Sequence, residues 1–165
     1  MLKSILSKDA LVQMAEPTWG ALPDQDVAKG ATWGNAKNPS KLDLGPIGVY
    51  TTIFNYTYEG KDDKGRDKIA IKSELKYGKP DAKGGATLPF QIKEANLASK
   101  EGSGVAYFDQ AKGRFAETSM KMKLEGDLTI EVGGMDTKVS LTQVQEATSK
   151  TSDDQPPEWA QKKKQ

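Results

Sequence analysis

The sequence predicts a mainly β fold: a curved antiparallel sheet of about six strands, shaped as a half-barrel, with one short N-terminal helix. Apolar residues recur at every second position through most of the chain after residue 48, and Asp and Gly residues separate these stretches. The length of 165 residues suits one domain. We therefore expect a single β domain over residues 1–147 and a disordered tail over residues 148–165, which is rich in Ser, Asp, Pro and Lys.

The composition limits the chemistry that the chain can perform. Its 24 Lys and Arg nearly balance its 23 Asp and Glu, and it has no His and no Cys. A net charge of +1 removes the electrostatic basis for binding nucleic acid. Thiolate nucleophiles, disulfides, His acid/base catalysis and ordinary zinc sites need residues that are absent. We expect no cofactor, no metal site, no catalytic residues and no nucleic-acid partner.

The N-terminal part is predicted to hold the single helix, over residues 7–16. Ser7 suits its N-cap and Pro17 its end, and its roughly nine residues require packing against the sheet for stability. Residues 17–45 read as loop with one short strand near Trp33. We expect no transmembrane segment, since no run of about 18 apolar residues occurs, and the first residues lack the apolar core of a signal peptide.

The first predicted hairpin joins residues 49–58 to residues 68–77. Apolar side chains occupy even positions in the first stretch and odd positions in the second. A four-residue loop that places Lys61 opposite Arg66 brings the two apolar faces together, and a slip of one residue would separate them. The expected pairs are Tyr58 with Ile69, Tyr56 with Ile71 and Tyr50 with Tyr77.

A second hairpin is predicted around the four-residue loop that follows Asp109. The glycine at the end of this loop supplies positive φ, and the aspartate can bond its own turn. The expected pairs are Phe108 with Phe115, Tyr107 with Ala116 and Val105 with Thr118. Residues 88–92 are predicted to form an edge strand, because Pro89 cannot donate a ladder hydrogen bond.

The third hairpin turns at Gly133 and Gly134, a two-residue turn of the primed type. Even positions are apolar through residues 120–132, and the phase is unbroken across Gly126, which predicts a bend there and no bulge. The alternative is a three-residue loop at residues 125–127. The expected pairs are Val132 with Met135, Ile130 with Thr137, Leu128 with Val139 and Gly126 with Leu141.

The apolar faces of these hairpins together need a cover. At about 25 cal/mol per Å² they amount to roughly 1,000 to 2,000 Å², whereas monomers rarely expose an apolar patch above about 600 Å². Three explanations stay open: the sheet closes on itself, it holds a lipid or other hydrophobic ligand, or it docks on a second copy or another chain. The residues expected to form the ligand or partner face are Tyr50, Phe54, Tyr56, Tyr58, Ile71, Met120, Met122 and Leu124.

Carboxylates on the opposite strand face offer the strongest acid/base groups in the chain. Glu117, Glu125, Asp127 and Glu131 share this face with Lys121 and Lys123. A glycosidase-like pair is conceivable there. Alternating charges are more typical of a solvated sheet face, so a carboxylate-dependent hydrolase is the second alternative.

The order of several short motifs resembles a family of uncharacterised exported bacterial β-sheet proteins, a domain of unknown function. The resemblance covers about residues 7–148. It implies a C-terminal portion of a longer exported precursor, a place in the periplasm or cell envelope, a sheet similar to that of periplasmic lipoprotein carriers, and no catalytic residues. The motif residues are Leu22, Pro23, Val27, Gly30 and Trp33; Tyr56, Tyr58 and Gly60; and Phe108, Asp109, Gly113 and Arg114, followed by alternating residues 120–145.

The function expected from these observations is a non-enzymatic binding or interaction module of the cell envelope that holds a hydrophobic ligand on the concave face of its sheet. A structural module completed by a partner chain is the first alternative.

Overall fold

Seven antiparallel strands form one sheet in the computed structural model, which describes residues 20–43, 48–79 and 90–154. Each of the strands β3 to β6 pairs with the next one in the chain, while β1 and β2 pair one after the other with the remaining side of β3. The strands are β1 (Thr32–Gly34), β2 (Ser40–Asp43), β3 (Val49–Lys61), β4 (Asp67–Gly78), β5 (Gln91–Asp109), β6 (Arg114–Val132) and β7 (Met135–Lys150). The mainly β, antiparallel prediction is confirmed.

Two details of that prediction, the number of strands and the N-terminal helix, are not confirmed. The described ranges hold seven strands where the sequence predicted about six, because the polar segment of β2 forms a strand by pairing its one apolar residue, Leu42, with Tyr50. The helix predicted over residues 7–16 lies outside the described residues.

The β3–β4 hairpin has the predicted core pairs but a different turn. Tyr56 pairs with Ile71, as expected, whereas Lys61 pairs with Asp67 and not with Arg66. The loop has three residues, closed by a 2.8 Å hydrogen bond from the Asp62 amide to the Arg66 carbonyl. A register shift next to Tyr58 compensates for the shorter loop, so the apolar faces still coincide.

The β5–β6 hairpin also contains a bulge that the sequence did not predict. Phe108 pairs with Phe115, as predicted, but Tyr107 pairs with Glu117 and not with Ala116. Ala116 is the extra residue of this bulge. Phe115 and the even-numbered residues from Thr118 onward therefore face the same side of the sheet. The pair expected between Val105 and Thr118 is therefore wrong: Val105 lies opposite Ser119.

The β6–β7 hairpin follows its predicted register throughout. Val132 pairs with Met135 and Gly126 with Leu141, and no register shift interrupts β6 at Gly126. The alternative loop at residues 125–127 is wrong. β5 is longer than the predicted strand at residues 88–92, and it pairs with β4 from Ala98 onward, so its first described residues lie at a sheet edge.

The strand β7 continues past the predicted start of the tail. Lys150 lies in β7, the Thr151 amide donates to the Ala116 carbonyl at 3.0 Å, and Asp153 forms ion pairs with Lys112 and Arg114. Residues 148–154 therefore belong to the described sheet and its edge. Residues 155–165 lie outside the described residues, and disorder there stays a prediction.

The core lies on one face of the sheet, near the end that holds the β3–β4 turn. Its buried residues come from β3 to β6 and from the segment before β1. The opposite end of β6 and β7 is exposed: Val132 keeps 43% of its surface in solvent and Met135 keeps 72%. The buried cluster consists of Ala21, Phe54, Tyr56, Ile69, Ile71, Ala106 and Phe115.

Candidate functional site

A cavity of about 290 Å³ opens on the core face of the sheet, next to the buried cluster. Side chains from β2, β3, β4, β6 and β7 line it. Its apolar and aromatic lining residues are Leu42, Tyr50, Leu75, Met122 and Leu124, and its polar ones are Thr52, Gln143 and Gln145. We refer to it as the concave cavity.

The composition of this lining requires strong curvature of the sheet. The strands β2 and β7 are five pairing steps apart. At about 4.8 Å per step they would lie roughly 24 Å apart in a flat sheet. A sphere of 290 Å³ is only about 8 Å across, yet Leu42 of β2 and Gln143 of β7 both line the cavity. The sheet therefore curls so that its two edges approach each other.

A glycine in β5 allows this curvature. A Cβ atom on Gly102 would lie 2.1 Å from the carbonyl oxygen of Ser73 on β4. The ladder between β4 and β5 is irregular at this point, between Lys72 and Lys76, and β5 has a further register shift next to Ser99. With no side chain at Gly102, the backbone of β5 can approach β4 closely and the sheet can bend.

Three of the eight residues predicted for the ligand face line the concave cavity: Tyr50, Met122 and Leu124. Leu124 is only 2% exposed, so it forms the floor. Phe54, Tyr56 and Ile71 lie in the buried cluster and are not accessible to a ligand. The alternation in the sequence predicted the correct face of the sheet for these three residues, but they are buried in the core of the protein.

The remaining two predicted residues, Met120 and Tyr58, are partly buried and pack against the outside of the cluster. Met120 is partly buried and packs against the cluster. Tyr58 also packs against it, and lines a second cavity near the β3–β4 turn. The predicted face is thus divided into a closed core and two separate cavities.

Two functional positions, Gln143 and Gln145, were missed by sequence reasoning. They lie directly opposite Leu124 and Met122 in the β6–β7 ladder. The register that the Gly133–Gly134 turn predicts, extended two to four residues past Leu141, would have placed them there. Leu42 gave no comparable signal, because its strand has only four residues and the other three are polar.

Two tyrosines form the aromatic wall of the concave cavity and its surroundings. The rings of Tyr50 and Tyr77 meet edge to face, with centroids 5.3 Å apart. Burial raises the pKa of the Tyr50 hydroxyl, and burial together with the neighbouring Tyr50 raises the pKa of Tyr77 to about 12. Both phenols are therefore neutral at physiological pH. Since the other lining residues carry no ionisable group, the wall of the cavity is uncharged.

The carboxylates on the other face of β6 each have a partner. Glu125 pairs with Lys123 at 2.6 Å, Glu117 with Lys150 at 3.5 Å, and Glu131 with Lys93. Asp127 accepts a 2.7 Å hydrogen bond from the Ser140 hydroxyl. These groups are exposed or half-exposed along one strand. They have the arrangement of a solvated, charge-paired surface and do not converge in a dry cleft.

Within the part of the chain that the structure describes, there is no helix with the length and apolar character needed to cross a membrane. Across residues 20–43, 48–79 and 90–154, there is also no group of three or more acidic side chains arranged to hold a metal ion. Comparison of the chain with protein-family models, with curated protein sequences and with solved structures finds no match.

Proposed function

We propose that the protein is a non-enzymatic binding module that holds one small hydrophobic ligand, such as a single acyl chain of a lipid, in the concave cavity. The observation that carries this proposal is the uncharged lining of a cavity bounded by both edges of the curled sheet. An apolar molecule entering such a site loses contact with water without desolvating any ion.

The size of the cavity limits the ligand. Its volume of about 290 Å³ is at the lower end of ligand pockets, which span about 300–1,000 Å³. An apolar cavity of roughly 150 Å³ is enough to bind benzene. The concave cavity therefore suits one acyl segment or one to two rings, and a lipid with several chains would have to leave most of them outside.

Polar groups beside the apolar floor would orient the ligand. Gln143 and Gln145 offer amide donors and acceptors, and Thr52 offers a hydroxyl. A few polar groups within an apolar lining are typical of sites that fix one end of an amphiphilic molecule. Met122 adds a flexible, polarisable side chain that adapts to ligands of different shape. We expect an uncharged or weakly polar head group at this edge.

The rest of our proposal concerns the whole chain. We infer a half-barrel and a relation to exported bacterial β-sheet proteins of the cell envelope. The order of the sequence motifs supports the relation, and the curvature of the sheet supports the half-barrel.

Binding of 1-naphthylamine, an uncharged two-ring probe whose fluorescence emission shifts to shorter wavelength in apolar sites, tests the proposed function. We expect Met122→Trp to fill the concave cavity and to reduce probe affinity by about tenfold or more, since a tenfold loss corresponds to about 1.4 kcal/mol. The matched control is Met135→Trp, which adds the same ring at a side chain that is 72% exposed. Equal binding by the two variants would contradict the proposal. Native mass spectrometry of the purified protein would then identify any natural ligand.

A second candidate function is a structural module completed by a partner chain. The observation in its favour is the cluster of exposed apolar side chains at the far end of β6 and β7, namely Val132, Met135 and Val139. Contiguous exposed apolar surface is typical of interaction sites. A dimer in native mass spectra, with no small molecule retained, would favour this function over ligand binding.

A further inference from the structure

A second cavity, of about 480 Å³, lies at the turn end of the core and has a different chemical character. The segment that precedes β1 covers it, and β3, β4 and β5 supply its walls. The buried cluster, with Phe54 and Tyr56, lies between this cavity and the concave cavity. The two cavities have no lining residue in common.

Three aromatic rings line this second cavity: Trp33, Tyr58 and Phe108. The Trp33 ring is fixed by stacking on Tyr56, with centroids 5.8 Å apart. Phe108 is fixed by an edge-to-face contact with Phe115, with centroids 5.2 Å apart. Aromatic rings held rigidly around a cavity attract cations to their faces, and Trp does so most strongly.

The ionisable groups among the lining residues are all acidic. They are the carboxylates of Asp24, Asp26 and Asp67, and no Lys or Arg is among the lining residues. Asp67 is the decisive one, because it is only 7% exposed and buried carboxylates require a partner. The Lys61 ammonium approaches it at 3.1 Å but is itself half exposed, at 51% of its side-chain surface.

The two side chains that contact the Asp67 carboxylate use only one of its two oxygens. The Tyr58 hydroxyl donates to Oδ1 at 2.7 Å, and the Lys61 ammonium also contacts Oδ1. A carboxylate has about four acceptor positions on its two oxygens. Among the described residues both contacts use Oδ1, so Oδ2 keeps acceptor capacity for a further donor or cation. Since Asp67 holds the Tyr58 hydroxyl, it also fixes one of the three rings.

The arrangement favours an organic cation over a metal ion. A hard cation takes six or more oxygen ligands close together. The carboxylates of this cavity are not grouped in that way, since the described ranges contain no acidic cluster able to hold a metal. An ammonium compound needs only one counter-ion together with apolar and aromatic walls.

We propose that this second cavity binds a small organic ammonium compound, with Asp67 as its counter-ion and the rings of Trp33, Tyr58 and Phe108 as its walls.

Titration of the full chain with choline tests this proposal, with 3,3-dimethyl-1-butanol as the matched probe. The two molecules have nearly the same shape, and only choline is charged. We expect choline to bind with a dissociation constant of about 1 mM or tighter and the neutral analogue to bind at least about tenfold more weakly. Calorimetry gives the affinities, and the Trp33 indole N–H resonance in a proton–nitrogen spectrum should shift with choline.

Variants locate the site. Asp67→Asn keeps the shape of the side chain and removes its charge, and it should weaken choline binding by about tenfold. Asp127→Asn is the control, since Asp127 lies on the other face of the sheet, bonded to Ser140. Where Asp67→Asn fails to fold, the exposed pair Asp24→Asn and Asp26→Asn replaces it, with a several-fold loss of choline affinity expected at low salt and a smaller loss at high salt, where these charges are screened.

Three outcomes would overturn the proposal. They are equal affinities for choline and its neutral analogue, unchanged choline affinity in the acidic-residue variants that fold, and the absence of saturable choline binding near 1 mM. None of these results bears on the concave cavity, because the naphthylamine probe and Met122→Trp report on that site separately.

Discussion

The hydroxyl of Ser73 is the one side-chain oxygen within the described residues that is buried without a hydrogen-bond partner. Ser73 lies on β4 and is 7% exposed, and a Cβ atom built on the neighbouring Gly102 would lie 2.4 Å from its hydroxyl oxygen. Burying an unpaired hydroxyl costs about 1–3 kcal/mol. Replacing it should therefore stabilise the protein, in contrast to most substitutions in a core.

We predict that Ser73→Ala raises the free energy of unfolding by about 1 kcal/mol, measured by urea denaturation. Ser103→Ala, at an exposed position on the neighbouring strand, is the control and should change it by less than about 0.5 kcal/mol. A loss of stability in Ser73→Ala would mean that a water molecule bonds this hydroxyl.

The Tyr77 hydroxyl should make stability depend on alkaline pH. Its pKa rises from 10.0 to about 12 on folding, first because of burial and then because of Tyr50. The folded state therefore holds this proton more tightly than the unfolded state. The contribution to stability is fully present below pH 10 and is lost as pH rises from 10 toward 12.

We predict that Tyr77→Phe loses less stability than the wild type over this interval, because phenylalanine has no proton to release. Urea denaturation below and above pH 10 measures the difference, and lysines that titrate in the same range cancel in the comparison. Parallel curves for wild type and Tyr77→Phe would contradict the prediction, because they would show that folding does not raise the pKa of Tyr77.

At the scale of elements, the hairpins show what alternation and turn chemistry can predict. In the β6–β7 hairpin, the Gly133–Gly134 turn and the phase of the apolar residues fixed every predicted pair. In the β5–β6 hairpin the pair nearest the turn was correct and the pairs beyond the bulge at Ala116 were not. In the β3–β4 hairpin the apolar pairs were correct and the pair at the turn was not. The reason is local: Asp62 accepts hydrogen bonds from the amides of Lys64 and Arg66, both at 2.9 Å, which shortens the loop.

The strand β5 shows what alternation cannot predict. Its middle contains Glu101, Gly102, Ser103 and Gly104, which have neither apolar character nor strand propensity. It is a strand because β4 and β6 pair with it from both sides. Its glycines allow the backbone of β5 to approach the neighbouring strands closely, which lets the sheet bend. In the sequence alone, these glycines only interrupt the alternation of apolar residues.

We predict that Gly102→Ala destabilises the protein by about 1 to 3 kcal/mol, because the new Cβ atom would lie 2.1 Å from a backbone oxygen that cannot move away easily. Gly78→Ala is the control. A Cβ atom at Gly78 would meet its nearest atom at 3.5 Å, which is ordinary contact. Thermal unfolding of both variants measures the effect, and equal losses would remove Gly102 as the cause of the bend.

At the scale of the whole molecule, the sequence predicted which face is apolar but not how that face is divided. Tyr56 and Met122 both lie on the predicted face, yet one is in the core and the other lines a cavity. The difference depends on curvature, and curvature depends on β5 and on the pairing of β2. The second cavity could not be predicted for a similar reason. Asp67 of β4 and Trp33 of β1 line the same cavity only because both strands pair with β3.

The same division should appear in the dynamics of the single long strand β6. Its first half passes through the core, where Phe115 and Leu124 are buried, and its last residues end at the exposed Val132. Local opening is easiest where few apolar contacts hold the backbone. We therefore predict slow amide hydrogen exchange over residues 115–124 and clearly faster exchange over residues 127–132, although both stretches are paired on two sides. Exchange followed by proton–nitrogen spectra measures this residue by residue. Uniform slow exchange along β6 would contradict the prediction, and it would mean that a second copy or another chain covers the exposed end.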